Sequence, residues 1–290
     1  MKKSLHILGK VLSWLLIALI VAAILFPFAV MFFFSLKTMS EIRSPDPSLL
    51  PDVAAWENYK IALQTGSWGQ YFFNSTFVTV IVVVISLIIN SMSGYVFARL
   101  NFRFKNFLFV LILAGMMIPP QVTMIPVVSL IRSVPLAGGN DILGQGGSGL
   151  INTYSGLIIP FIAGSFGVFL CRQYFVSFPR ELDDAALIDG CGRFRTFISI
   201  YLPLGKPVLA SLAVLKFAGT WNEYTWPLVI TQGDAMKTVQ IALTNFRNES
   251  EIRWNLLMAA TLMVSAVVCL VFIFAQKHFV NGILTGSIKG

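Results

Sequence analysis

Two ionisable residues, Lys216 and Glu223, stand inside a stretch otherwise apolar enough to cross a bilayer. A charge in hydrocarbon is costly, so such residues mark a pathway, a proton or ion relay, or a buried partnership. Seven residues of helix separate them by about 10.5 Å along the axis while leaving them on one face, so separate partners are expected rather than a direct pair. Around the carboxylate, Trp221-Asn222-Glu223-Tyr224-Thr225-Trp226-Pro227 interleaves rings with polar groups. Such a cluster either faces a central pathway or forms an interfacial aromatic belt whose Glu bonds a neighbouring helix.

A second stretch runs from Phe178 to Pro203. Pro179 suits a helix start, Glu181, Asp183 and Asp184 crowd the first turn as the dipole favours, and Gly190 stops it. From Arg193 to Leu202 a second short helix is expected, with Phe194, Phe197, Ile198 and Tyr201 on one face and Pro203 as its end. Ala185-Ala186 beside an acid gives a narrow surface that fits a groove on another protein; an amphipathic connector lying on lipid is the alternative. Other candidate chemistry is thin. Gly144-Gln-Gly-Gly-Ser-Gly149 satisfies G-x-G-x-x-G but follows no strand, and Gly9-Lys10 and Gly205-Lys206 lack the upstream glycine of a phosphate loop. Cys171, Cys191 and Cys269 are too scattered for a metal or redox pair, His6 and His278 lie in the tails, and Asn74-Ser-Thr76 and Asn248-Glu-Ser250 are bare sequons.

The elements that must position these groups are read from composition. Of 290 residues 56% are hydrophobic, 12% are charged and 25 are Phe. A soluble domain carries about a quarter charged residues, so this is an all-α, polytopic membrane protein, and the net charge of +8 is read against lipid rather than nucleic acid. Six apolar segments approach the roughly 20 residues that a crossing needs, at 12 to 36, 71 to 97, 106 to 130, 155 to 176, 207 to 230 and 255 to 276. The first is too long for a signal-peptide core and is read as retained. With the N-terminus inside, inner segments hold thirteen Lys and Arg and outer ones seven, giving +9 inside and −1 outside, so both termini are expected in the cytoplasm. Pro119-Pro120 and Pro126 should kink or break the third span, and the Gly-rich 134 to 153 reads as an external loop. Asn90, Ser91 and Ser93 suit polar packing between helices.

These residues carry a resemblance. Asp184-Ala185-Ala186, then Gly190, Ile200 and Leu202-Pro203 match in spacing the EAA motif of ABC importer permeases, with Asp184 in place of the family's Glu. Ser93-Gly-Tyr-Val-Phe-Ala-Arg99, the Trp221 to Pro227 run and the tail Gly282 to Gly290 look like maltose-type permeases of carbohydrate-uptake importers. The resemblance implies a type I permease fold of six transmembrane helices, with 1–70 as an N-terminal helix and loop and 71–290 as the permease core. It implies a bacterial or archaeal inner-membrane subunit that works with a second permease, two ATPase subunits and an extracytoplasmic sugar-binding protein. ATP and Mg would sit on the ATPases, this chain holding no cofactor and no enzymatic site. The loop 179–203 would couple to the ATPase through Glu181, Asp184, Ala185, Ala186, Asp189, Gly190, Ile200, Leu202 and Pro203, and the tail 277–290 would add Thr285, Gly286 and Lys289. Trp221, Asn222, Glu223 and Tyr224 would line the sugar pathway. The rivals are an ion-coupled transporter or channel using Lys216 and Glu223, and a membrane-embedded enzyme.

Overall fold

The computed structural model describes residues 2–46, 48–247 and 251–287. Among them there is no β-strand, only an isolated antiparallel bridge between Arg247 and Ile252. The helices are α1 (Lys2–Ser35), α2 (Met39–Ile42), α3 (Glu57–Gln64), α4 (Trp68–Arg99), α5 (Lys105–Met117), α6 (Pro120–Arg132), α7 (Tyr154–Ile158), α8 (Ser165–Val176), α9 (Glu181–Ile188), α10 (Arg193–Thr196), α11 (Leu202–Leu204), α12 (Lys206–Trp221), α13 (Thr225–Ile230), α14 (Val239–Ala242) and α15 (Trp254–Ser287).

Among the described residues, three helical stretches are long and apolar enough to cross a membrane unbroken: Gly9–Ser35, Trp68–Arg99 and Trp254–Gln276. The other spans are bent pairs, with 106° between α5 and α6, 43° between the α7 segment and α8, and 77° between the segment Arg193–Leu204 and α12. Only by taking each pair as one span does the count reach the six expected from hydropathy. The break after α5 falls at the double proline, where Ile118 and Pro119 are both extended because each precedes a proline. Pro126 sits inside α6 without ending it.

Two expectations about the fifth span are corrected. Pro203 does not end the hairpin's second helix; it occupies the first turn of α11, where a missing N–H is tolerated, and a π-helical stretch from Phe197 to Tyr201 joins α10 to α11. The turn comes at Gly205, where a Cβ would lie 2.7 Å from the Tyr201 carbonyl oxygen and 2.8 Å from the Phe175 ring. Nor is 207 to 230 one helix. Asn222 closes α12, its side-chain amide donating back to the Ala218 carbonyl at 2.9 Å, and α13 begins only at Thr225.

The chain divides into two compact units. In the first, which runs to Trp68 and includes Leu243–Val267, the buried Asn58 amide donates to the carbonyls of Ser35 and Lys37, 2.8 Å each, satisfying acceptors that the end of α1 leaves open. Asn255 donates to the Asn58 carbonyl at 3.0 Å, and Trp68 stacks on Phe246.

The second unit, Gly69–Ala242 with the chain from Val268, contains both candidate sites. One apolar cluster gathers Val78, Val82, Leu157, Trp226 and Ile230; another gathers Tyr95, Cys171, Phe175, Phe197, Tyr201 and Leu212. Between them α4 and α8 approach closely. A Cβ at Gly94 would lie 2.5 Å from that of Cys171, and one at Gly167 would meet the Asn90 amide at 2.6 Å, so these positions must lack a side chain.

Candidate functional site

The segment from Glu181 to Leu204 forms a helical hairpin. Glu181, Asp183 and Asp184 occupy the first turn of α9, complementing its dipole. The helix ends in a Schellman motif: Cys191 N–H donates to the Ala186 carbonyl at 2.8 Å and Gly190 N–H to Leu187 at 3.1 Å, with Gly190 left-handed at φ 68°. Glu181, Asp184, Ala185, Asp189, Gly190 and Pro203 are exposed, whereas Ile200 and Leu202 are half-buried. Leu187 and Ile188 at the tip are 75% and 86% exposed, a large apolar commitment to something outside this chain.

Ala186 corrects the expectation of an open two-alanine surface. It is buried, so only Ala185 belongs to the free face. The second helix likewise divides its aromatic stripe, with Phe197 and Tyr201 turned in and Phe194 and Ile198 left out.

The inward side meets the end of α4 through residues that hydropathy and spacing do not single out. Arg99 donates to the Phe178 carbonyl, lies 3.5 Å from the Asp183 carboxylate and stacks over Tyr201, its guanidinium carbon 5.3 Å from the ring centroid. Tyr201 donates to the other Asp183 oxygen at 2.8 Å, and Tyr95 donates to the Arg193 carbonyl at 3.2 Å. In the sequence Arg99 is only the last residue of the Ser93–Arg99 run, and nothing local pairs it with Asp183.

At the middle of the unit, the intramembrane charges have separate partners, as their spacing predicts. Lys216 Nζ donates to the Phe161 carbonyl at 3.0 Å, and the Asn90 carbonyl accepts from Gly164 N–H at 3.2 Å, so two neighbouring helices satisfy the backbone freed where the chain breaks before α8. Glu223 accepts from Trp226 N–H at 2.9 Å and caps α13. Glu223 also lines a cavity of about 270 Å³ with Pro120, Gln121, Thr123, Pro160, Phe161, Thr225 and Trp226, bringing two proline-bearing breaks together. Of the other pathway candidates, Trp221 is buried against Phe72 and Phe217, while Asn222 and Tyr224 are exposed.

At the other end of α4, Asn74 is fully buried and donates to the Ala235 and Lys237 carbonyls at 2.9 and 2.8 Å while accepting from Gln70 and Tyr154. All its hydrogen-bonding capacity is used, so its sequon has no accessible amide. The strap it holds carries Asp234, whose carboxyl is pulled below the usual aspartate range by Lys237 and the Tyr71 hydroxyl. In the tail, Thr285 and Gly286 fall in the helical backbone of α15, and Lys289 lies outside the described residues; so does Asn248 of the second sequon. Among the described residues no cluster of His, Cys, Asp or Glu has the form of a metal site, and Cys171, Cys191 and Cys269 are free thiols.

Broken apolar spans around a cavity, with an amphipathic hairpin tied to one end, are the architecture of a membrane-embedded transport subunit. The chain belongs to the family of binding-protein-dependent transport system inner membrane components, whose sequence profile matches residues 90–285. It is 33% identical to the arabinooligosaccharides transport system permease protein AraQ of Halalkalibacterium halodurans, over 97% of this chain and 98% of that protein. The sn-glycerol-3-phosphate transport system permease protein UgpE of Brucella abortus is 30% identical, over 95% and 96% of the two chains. The fold is shared with a chain of a bacterial ABC transporter involved in import of the acidic polysaccharide alginate, at a TM-score of 0.78 and 23% identity, covering 94% and 96%.

Proposed function

We propose that this chain is one permease subunit of an ATP-driven importer for a carbohydrate, an oligosaccharide or a related polyhydroxylated solute, working with a second permease, two ATPase subunits and an extracytoplasmic binding protein. The observation that carries the reading is the hairpin. It presents Asp184, Ala185, Leu187, Ile188 and Gly190 outward while its other side is bonded to α4. A surface of that kind suits a cleft on an ATPase, and ATP-driven closure of the ATPases then moves the spans as bent rigid bodies between inward-open and outward-open arrangements. ATP and Mg belong to those partner subunits.

The permease core is taken as 71–290, with 1–70 as an added N-terminal helix and loop. The excess of Lys and Arg supports a cytoplasmic side for the hairpin and both termini; the resemblance of the tail to maltose-type permeases offers Thr285, Gly286 and Lys289 as a second ATPase contact. Glu223, with Asn222 and Tyr224, fronts the pathway beside the cavity at the breaks, where carboxylate, amide and ring suit hydroxyl-rich solutes; Trp221 supports that wall from within. The names of the relatives, spanning arabinooligosaccharides and glycerol phosphate, support the solute class without choosing within it. An ion-coupled mechanism gains no support from Lys216 and Glu223, since each is engaged by backbone.

The test is co-purification of this chain expressed with its neighbouring genes, followed by ATPase assay with candidate sugar-loaded binding proteins. A complex containing a second permease and an ATPase, stimulated by one loaded binding protein, is expected. A chain that purifies alone and moves solute in liposomes under an ion gradient overturns the reading.

A further inference from the structure

A hairpin that docks on an ATPase transmits force only if it cannot pivot freely on its own spans. Its two helices leave α8 at one end and enter α12 at the other, both through turns, and Gly205 permits a 77° bend on the α12 side. Chain connectivity therefore leaves the hairpin hinged. Its rigidity must come from side chains that reach across to an unbroken span.

The structure supplies one such attachment. Arg99 ends the 32-residue helix α4 with its side chain only 7% exposed, and it engages both halves of the hairpin's base. Toward the first helix it contacts the Asp183 carboxylate at 3.5 Å and donates to the Phe178 carbonyl ahead of Pro179; toward the second it lies over the Tyr201 ring. Tyr201 closes the triangle through its 2.8 Å bond to Asp183. The ring packs against Tyr95, Phe175 and Phe178, with centroids 4.8, 5.5 and 5.6 Å away. A guanidinium supplies charge, several donors in a fixed plane and a stacking face together, which a lysine does not.

We infer that Arg99, Asp183 and Tyr201 form a rigid joint that transmits movement of the coupling hairpin to α4, making Arg99 a positioning residue for energy coupling. The inference rests on the proposed reading of 179–203 as the ATPase-docking hairpin. Asp183 then has a different task from Asp184 beside it: Asp184 is exposed toward the partner, and Asp183 turns back to hold the hairpin to its own span.

The joint is tested in the whole importer, reconstituted with its ATPases and binding protein, by measuring solute moved per ATP hydrolysed. Asp183→Asn and Tyr201→Phe keep shape and ring, and Arg99→Lys keeps charge. All three are expected to retain the ATPase subunits and hydrolyse ATP while transport per ATP falls about fivefold or more, the lower end of an ordinary coupling between sites. Combining Asp183→Asn with Tyr201→Phe should cost little beyond either alone, because both cut the same triangle. Should Arg99→Lys fail to assemble, the two isosteric variants decide. An unchanged transport-to-ATP ratio in both, with the ATPase bound, overturns the joint. Ala185→Arg separates the two readings: if it leaves ATPase binding intact, the hairpin assignment itself fails, whereas loss of ATPase binding there together with normal coupling in Asp183→Asn rejects the joint alone.

Discussion

Lys216 Nζ donates to the main-chain carbonyl of Phe161 at 3.0 Å, joining residues 55 apart in sequence at the point where the span before α8 loses its helical hydrogen bonds. The charge thus serves as a partner for a backbone carbonyl that the helix break leaves open. Lys216→Met leaves that carbonyl unsatisfied and is expected to lower stability by about 1–3 kcal/mol, seen as reduced thermal stability of the detergent-solubilised complex. Ion dependence of uptake should not change. A variant that instead alters ion dependence while unfolding normally would assign Lys216 to transport chemistry.

Glu223 has one bond to the α13 backbone and one side on the cavity, so two substitutions separate its roles. Glu223→Gln keeps an acceptor for Trp226 N–H and is expected to preserve assembly while impairing solute movement. Glu223→Ala removes the cap as well and should cost a further ~1 kcal/mol of stability. Equal uptake by wild type and Glu223→Gln would leave the cap as the residue's only role.

At Gly190 the space around a Cβ is open, so bulk is no obstacle; backbone conformation is. With φ at 68°, Gly190→Val places a β-branched residue in the left-handed region, at a cost of roughly 1–2 kcal/mol that the exposed tip relieves by unwinding the Schellman turn. We expect loss of ATPase binding in pull-down with the spans still folded. Ala186→Arg is a poorer probe because it places a charge at a buried position; Ala185→Arg, on the exposed face, addresses docking directly.

The strap held by Asn74 should respond to acid. Asp234 has a depressed folded-state pKa, from Lys237 first and Tyr71 second, so its contribution is fully present above the ordinary aspartate value near pH 4 and is lost as pH falls through the lower folded value. Protection of the amides in the segment 234–239, taken relative to the intrinsic exchange rate at each pH, is expected to fall over that acid range in wild type. Asp234→Asn should show the lower protection already at neutral pH and little further change on acidification.

How much of this was legible in the sequence follows from where each determinant lies. Hydropathy over some twenty residues, a double proline at 119–120, acids in one helical turn and a glycine at 190 are local properties. They fixed the membrane class, the break after α5 and the bounds of α9, because helix starts, stops and insertion depend on neighbours within a turn or two. The motif spacing from Asp184 to Pro203 added the family.

Tertiary structure alone decided which partners the isolated charges find. Pro203 looked like a stop and proved tolerable once a π-helical stretch preceded it, while Gly205 became the corner because the Phe175 ring packs there. Ala186 turned inward, Lys216 went to Phe161, and Arg99 reached Phe178, 79 residues away, along with Asp183 and Tyr201. Each outcome depends on how separate helices stack, and the stacking is set by close approaches such as Gly94 on Cys171. A local pattern states that a buried charge or freed carbonyl needs a partner; only the packing of distant segments determines which one is within reach.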